Sequence, residues 1–391
     1  MKTRKSRLRV GLVVPHIFMH RDILPGVIFS PGMVALSLVN GLADQGIEVT
    51  LFSPGPIDTE VHNITIDLSY FEAELALRGD SYTDLLKKHP LTFISLARQA
   101  QAELISRAYQ MANNDELDVV HVYTNEEDLG LTFAALCKKP VVFTHHDPYN
   151  FLVRYKTIFP KYKDNNFISM SYAQRSGMPT DTNWVANIYH GIDPLRFRPN
   201  YEPRGDYVAY LGRIIEPKGV HLAIQALKAY NQVTNSKLKL KLAGKHYAGH
   251  QKDTYWQTKI LPYIDDVEIE YIGFVDGDVA KQAFLGNAEA LLVPSLFDEP
   301  FGMVVIEAMA CGTPVIGLES GALPELIDDG VTGLLVVSND SEAVTVKSLA
   351  KAMSRVDSLD RKACRLVVED KFTVERMCHE HAEVYQKLQD N

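Results

Sequence analysis

One pattern limits what this chain can fold into more than any other, and the chain runs through it twice. Short apolar runs rich in β-branched residues alternate with amphipathic stretches along almost the whole length. Runs that are apolar throughout suit strands buried on both faces, as in a parallel sheet covered by helices. In the first half, strands are expected at 8–14, 48–52, 119–123, 141–144, 167–171 and 184–189. Residues 33–45 and 91–111 have helical spacing, and Gly46 suits the end of the first of these helices. The pattern restarts at 207–211 and continues at 238–243, 268–273, 290–293, 315–318 and 333–336. Between the halves, three prolines fall within residues 194–203, which suits a linker and not the interior of an element.

The expected fold is therefore α/β: two Rossmann-like, doubly wound parallel-sheet domains facing each other across a cleft. A chain of 391 residues has the length for two cores. The domains are expected at 1–198 and 199–372, with a polar helix over 373–391 placed to cross back to the first domain.

Composition excludes some functions. The net charge of −9 argues against nucleic-acid binding, which needs an extended basic face. It leaves room for a small phosphorylated ligand, which needs only local cations. No uncharged apolar run reaches the roughly 18–20 residues of a membrane helix, so stable membrane insertion is not expected. The basic start leads into a short apolar run with no cleavage site, unlike a secretion signal. Cys137, Cys311, Cys364 and Cys378 are scattered, which suits reduced thiols in the cytoplasm. The basic amino terminus suits, at most, a peripheral contact with the inner face of a membrane.

The stretch 295–307 carries the most chemistry. It follows the strand run 290–293 and opens into a helix, the arrangement in which open α/β sheets bind ligands. Free amides at a helix start favour an anion. Glu299 precedes Pro300, which holds it extended and able to point into the cleft. Glu307 lies in an otherwise apolar helix, where a carboxylate needs a partner, and a ligand hydroxyl is a suitable one. A second anion-suited loop opens the second half. There Gly212 and Arg213 follow a strand, and Lys218 precedes a helix. Arg213 offers a fork of donors and Lys218 a compact charge, so one diphosphate could be gripped by both loops.

These residues resemble the retaining glycosyltransferases of family 4, which have the GT-B fold. The resemblance runs through 295–317 with Glu299 and Glu307 in an E-x7-E arrangement. It extends to 212–219, 321–325, 329–335 and the linker 190–193. It implies that Arg213 and Lys218 bind the donor diphosphate beside Gly212, and that Glu307 meets the ribose hydroxyls. It also implies that Glu299 lies beside the transferred sugar, with the amides of Phe301, Gly302 and Met303 against sugar and phosphate oxygens. Gly273, Phe274 and Val275 would lie next to the base. In the first domain, 141–147 resembles a strand ending in a histidine near the sugar, and the family spacing favours His146 over His145. On this reading Glu299, His146, Arg213 and Lys218 form the catalytic set. The family often carries paired glycines after the first strand, whereas this chain has Gly32 at the end of the loop 15–32, where acceptor contacts are expected.

The implied reaction moves a hexose from a UDP-, GDP- or ADP-linked donor to an acceptor hydroxyl, giving an α-linkage. It needs no metal or other cofactor, because fixed cations stabilise the leaving diphosphate. Acceptors of three kinds fit: a saccharide, a lipid-linked sugar or a small metabolite. A nucleotide-sugar epimerase, a glycosyl phosphorylase and a non-catalytic nucleotide-sugar binder are the rivals. Asp276 and Asp278 have the D-x-D form of a metal site, yet Asp278 precedes a helix and is expected as its N-cap. His16, His20 and Asp22 match no common zinc spacing. No G-x-G-x-x-G follows the first strand and no G-x-S-x-G occurs, against a nicotinamide dehydrogenase and an α/β-hydrolase.

Overall fold

The computed structural model describes residues 7–203, 205–246 and 253–390. The chain forms two compact units, one running to Gly191 and resuming at Val374, the other Ile192–Thr373. Strands of the first unit are β1 (Arg9–Val13), β2 (Glu48–Phe52), β3 (His62–Ile64), β4 (Val119–Tyr123), β5 (Val141–Thr144), β6 (Asn166–Ser169) and β7 (Trp184–Asn187). They make one sheet in the order β3-β2-β1-β4-β5-β6-β7, with every pairing parallel. The second unit has β8 (Tyr207–Leu211), β9 (Lys239–Ala243), β10 (Ile269–Gly273), β11 (Leu291–Val293), β12 (Val315–Leu318) and β13 (Gly333–Val336). Its order is β10-β9-β8-β11-β12-β13, again all parallel.

Both sheets are thus doubly wound, and each reverses its strand order once: between β1 and β4, and between β8 and β11. In such sheets the crevice at the carboxyl ends of the two diverging strands is the ligand-binding position. The apolar runs are buried as their composition requires. Val13, Val122 and Phe143 anchor the first core, and Val208, Leu242, Leu292 and Ile316 the second.

Four local expectations are corrected. β3 was not anticipated, since His62-Asn63-Ile64 has no apolar run. It forms as a short edge strand because the Asn63 side chain bonds Leu51 O at 3.2 Å and Ser53 Oγ at 2.8 Å. The division falls at Gly191/Ile192, before the expected 198/199, because the linker is bound into the second unit. Ile192 N donates to Phe372 O at 2.9 Å. Arg365 Nη1 donates to the carbonyls of Pro194 (2.9 Å) and Phe197 (2.5 Å). The loop expected to run through Gly32 ends at Phe29, because Ser30-Pro31-Gly32 already opens the helix Ser30–Asp44, with proline where its missing N–H costs nothing. Asp278 is not an N-cap. Gly277 takes that place and Asp278 is the first residue of the helix Asp278–Gly286, where its Oδ2 accepts from Arg196 Nη1 at 3.2 Å.

The helix Val374–Asp390 packs on the helix Ser30–Asp44 within the first unit. Gly41 permits this approach, since a Cβ there would lie 2.6 Å from Cys378 Sγ. Among the described residues no helix is long and apolar enough to cross a membrane.

Candidate functional site

At the reversal point of the second sheet, the loops after β8 and β11 are stitched together through backbone. Leu296 N donates to Pro217 O at 2.8 Å. Gly219 has φ +65, and a Cβ there would lie 1.9 Å from Pro294 O. Only glycine permits both the left-handed turn and that approach. Gly321 does the same for the next loop. Its φ is +54 and a Cβ would fall 2.3 Å from Glu299 N, while Ala322 N donates to Glu299 O at 2.8 Å.

This scaffold places the predicted residues. Lys218 Nζ and Ser295 Oγ both donate to Glu299 Oε1, each at 2.5 Å. Lys218 also lies over the Phe297 ring, 4.6 Å from its centroid. Glu299 was expected to project from an extended residue; it is instead buried, with Oε1 shared between the two donors. Arg213 follows β8 with its side chain exposed, and its carbonyl accepts from Tyr210 Oη at 2.7 Å. Gly302, with φ +124, precedes the helix Met303–Ala310. The first amides of a helix find no acceptor within it, so Gly302 and Met303 offer the anion-suited backbone the sequence implied. Phe301 is buried, its ring 6.1 Å from that of Phe372. At the β10 end, Gly273 lies beside the neighbouring loop, its carbonyl accepting from Gly244 N at 2.8 Å. Phe274 is partly exposed, with Lys245 Nζ 4.1 Å from its ring centroid. Val275 lies two residues beyond the end of β10.

Glu307 does have a partner, and it is a residue the sequence reading missed. Lys281, on the helix Asp278–Gly286, donates to Glu307 Oε1 at 2.8 Å. Burial pushes the Glu307 carboxyl above its ordinary range, against the pull of Lys281. Burial alone would depress the Lys281 ammonium, but Glu307 outweighs it and the net direction is upward. Glu307 Oε2 is buried with no hydrogen-bond partner among the described residues.

In the first unit, His146 follows β5 by two residues. Its ring stacks on His190 (5.2 Å, 16°) and meets Tyr123 edge-on at 4.4 Å. Neither of its ring nitrogens has a hydrogen-bond partner among the described residues. Burial holds its pKa well below that of a free imidazole. It is therefore a neutral group with an unused donor and an unused acceptor, suited to a hydroxyl. His145 differs. Its Nδ1 lies 3.1 Å from Glu127 Oε2, and Tyr155 and Phe159 enclose its ring. Burial lowers His145 to about 4 and raises Glu127 well above a normal carboxyl, so both favour the uncharged form. In the loop 15–32, His16 Nδ1 and His20 Nδ1 accept backbone N–H groups two residues on, from Phe18 and Asp22. Those bonds give them a local role.

The sheet orders, and the cations and carboxylates at the second reversal point, define a two-unit GT-B glycosyltransferase. The chain matches the family described as Glycosyl transferases group 1 over residues 192–363 and Glycosyltransferase Family 4 over residues 32–200. An uncharacterised glycosyltransferase of Methanocaldococcus jannaschii is 23% identical over 337 residues, covering 78% of this chain and 81% of that one. A phosphatidyl-myo-inositol mannosyltransferase of Mycobacterium leprae is 26% identical over 353 residues, covering 86% and 85%. Among solved structures, sucrose-phosphate synthase of Thermosynechococcus elongatus superposes with a TM-score of 0.72 at 18% identity, covering 98% of this chain and 99% of that one. Anabaena HepE, solved with UDP and glucose, superposes with a TM-score of 0.68 at 16% identity, covering 97% and 100%. The chain belongs to the family 4 glycosyltransferases of GT-B fold.

Proposed function

We propose that this chain transfers a hexose from a nucleoside-diphosphate sugar to an acceptor hydroxyl with retention, giving an α-linkage. One observation carries the reading: Arg213, Lys218 and the start of the helix Met303–Ala310 all lie where the second sheet reverses its order. A diphosphate there meets two fixed cations and a helix dipole. HepE was solved with UDP and with UDP-glucose, which supports a nucleotide sugar as the ligand class.

In the reaction, the bond from the anomeric carbon to the β-phosphate oxygen breaks. The acceptor oxygen bonds to that carbon from the same face, and its proton passes to the departing diphosphate. Arg213 and Lys218 stabilise the charge gathering on that leaving group. They supply the charge a metal would bring, so activity is expected to survive chelation. Glu299 Oε1 is already engaged by Lys218 and Ser295, which suits orienting sugar hydroxyls better than nucleophilic attack. His146 is assigned to a hydroxyl of the transferred sugar, and the loop 15–32 to the acceptor. The four cysteines are free thiols, three of them buried, which fits a reducing cytoplasm.

The test is proton NMR of UDP-, GDP- and ADP-hexoses, each with and without saccharide, lipid-linked and small-metabolite acceptors, in the presence of EDTA. An α-configured product formed only with acceptor supports the proposal. A β-configured product overturns retention. Donor conversion without acceptor, or phosphorolysis without nucleotide, overturns transfer.

A further inference from the structure

Glu307 is a buried carboxylate with two unequal oxygens. Oε1 accepts from Lys281 Nζ at 2.8 Å, and Oε2 is buried with no partner among the described residues. The rest of its helix is apolar: Val305, Ile306, Ala308, Met309 and Ala310 are all buried. A carboxylate in such surroundings stays ionised only beside a cation or a strong donor. Lys281 reaches it from the neighbouring helix, so the two helices fix both the charge and the direction of the carboxyl plane.

We propose that Lys281 is a positioning residue for the donor: it keeps Glu307 a carboxylate and aims Oε2 at the ribose diol. This rests on the donor reading above. Without the ammonium, nothing offsets the burial that already favours the protonated form of Glu307, and the carboxyl loses its value as a charge-assisted acceptor for a ribose O–H. Other charges face the pair. Asp276 and Asp278 lie on the Lys281 side and strengthen its positive charge. Asp278 also opposes ionisation of Glu307. Beyond the far end of the Glu307 helix, Cys311 feels Arg365 and Arg361 from the helix Arg361–Lys371. None of these donates a hydrogen bond to Glu307 Oε2, and Lys281 is the cation that opposes the burial favouring the protonated form.

The test is calorimetric binding of UDP, GDP and ADP, each against its 2′,3′-dideoxy form, to wild type and to Lys281→Met from pH 6 to 9. In wild type, removing the diol is expected to weaken binding roughly ten- to a hundredfold, the range of one charge-assisted hydrogen bond. In Lys281→Met that penalty collapses at pH 6 and returns as the pH rises and Glu307 ionises. Lys281→Arg keeps the penalty at every pH. Lys281→Gln, polar but uncharged, carries the methionine expectation should that variant not fold. A dideoxy penalty and pH profile unchanged in the uncharged variants overturn the inference and leave the donor reading standing. No binding of any of the three nucleotides to wild type overturns both.

Discussion

The two units handle buried ionisable groups in opposite ways. In the second, charge is kept by pairing: Lys218 with Glu299, and Lys281 with Glu307. In the first, charge is removed by burial. His121, His146, His190 and His381 are all buried, and burial depresses every one of them. His121 is satisfied by neutral groups, Tyr385 Oη at 2.7 Å and Thr144 Oγ1 at 2.8 Å. The rings stack, His146 on His190 and His121 on His381. A region that has to meet a diphosphate needs permanent charge and accepts the desolvation cost. A region that meets hydroxyls gains from neutral imidazoles, which both donate and accept.

The sharpest way to break this contrast is to remove the cations at the second unit's reversal point. Replacing Arg213 and Lys218 together by alanine is expected to lower kcat/KM by about a thousandfold or more, since each charged contact in a desolvated site contributes roughly 2–4 kcal/mol in the transition state. Steady-state kinetics with a nucleotide-sugar panel measures it. Wild-type turnover by the double variant would show that these cations do not serve the reaction.

Acid is the next probe, and it should strike the first unit. A histidine held near pKa 3 (His190) or 4 (His381) when folded, but ordinary when unfolded, leaves stability intact above about pH 6.5. As the pH falls below that value the unfolded chain takes up the proton and the folded one does not, so stability declines until the folded pKa is reached. Each of these two histidines then costs about 2 kcal/mol at pH 5, and His121 and His146 act with the same sign. Denaturant titrations at pH 7 and pH 5, followed by near-ultraviolet dichroism, are expected to show that loss. A pH-independent midpoint would mean that the cluster is already hydrated.

How much of this was readable in advance follows the same divide. The second sheet was legible because β8, β11, β12 and β13 are uncharged, largely apolar runs, and the loops at its reversal point carry glycine, proline and charge in a fixed order. The carboxylate Glu307 also announced a need for a partner, since an acid in the run Val305-Ile306-Glu307-Ala308 cannot stay bare. Lys281 stayed hidden because it lies on another helix, behind an Asp276-Gly277-Asp278 sequence that drew attention to itself. Asking which adjacent amphipathic helix turns a cation inward would have found it. The histidine cluster had no such signal. His121 and His381 are far apart in sequence, and their meeting depends on where the last helix docks. β3 was missed for a different reason: it is a three-residue edge strand with Ile64 as its one buried apolar residue, and the Asn63 side chain ties it to Leu51 and Ser53.

A smaller effect tests whether the loop after β8 is set by backbone alone. In Gly219→Ala the new Cβ meets Pro294 O at 1.9 Å in a left-handed conformation. Strain of roughly 1–3 kcal/mol is expected for the backbone alone, so thermal melting should drop. Bound nucleotide should raise the melting point of the variant by less than it raises that of wild type, because the two loops no longer share one geometry. An equal rise in both would separate loop geometry from ligand binding.

The gentlest perturbation falls in the neutral network. Tyr385→Phe removes one hydroxyl and leaves His121 Nδ1 buried without its 2.7 Å partner. The cost is expected at about 1–3 kcal/mol, the desolvation penalty of one unsatisfied polar group, read as a lower urea midpoint at unchanged m. The His121→Phe change, made alongside Tyr385→Phe, should restore part of it, because a fully apolar pair has nothing left to satisfy. No such recovery is available to the second unit, where removing Lys218 strands an acid that Ser295 alone cannot neutralise. A double-variant cycle with recovery at Tyr385–His121 and none at Lys218–Glu299 would establish that one unit uses polarity without charge and the other cannot do without it.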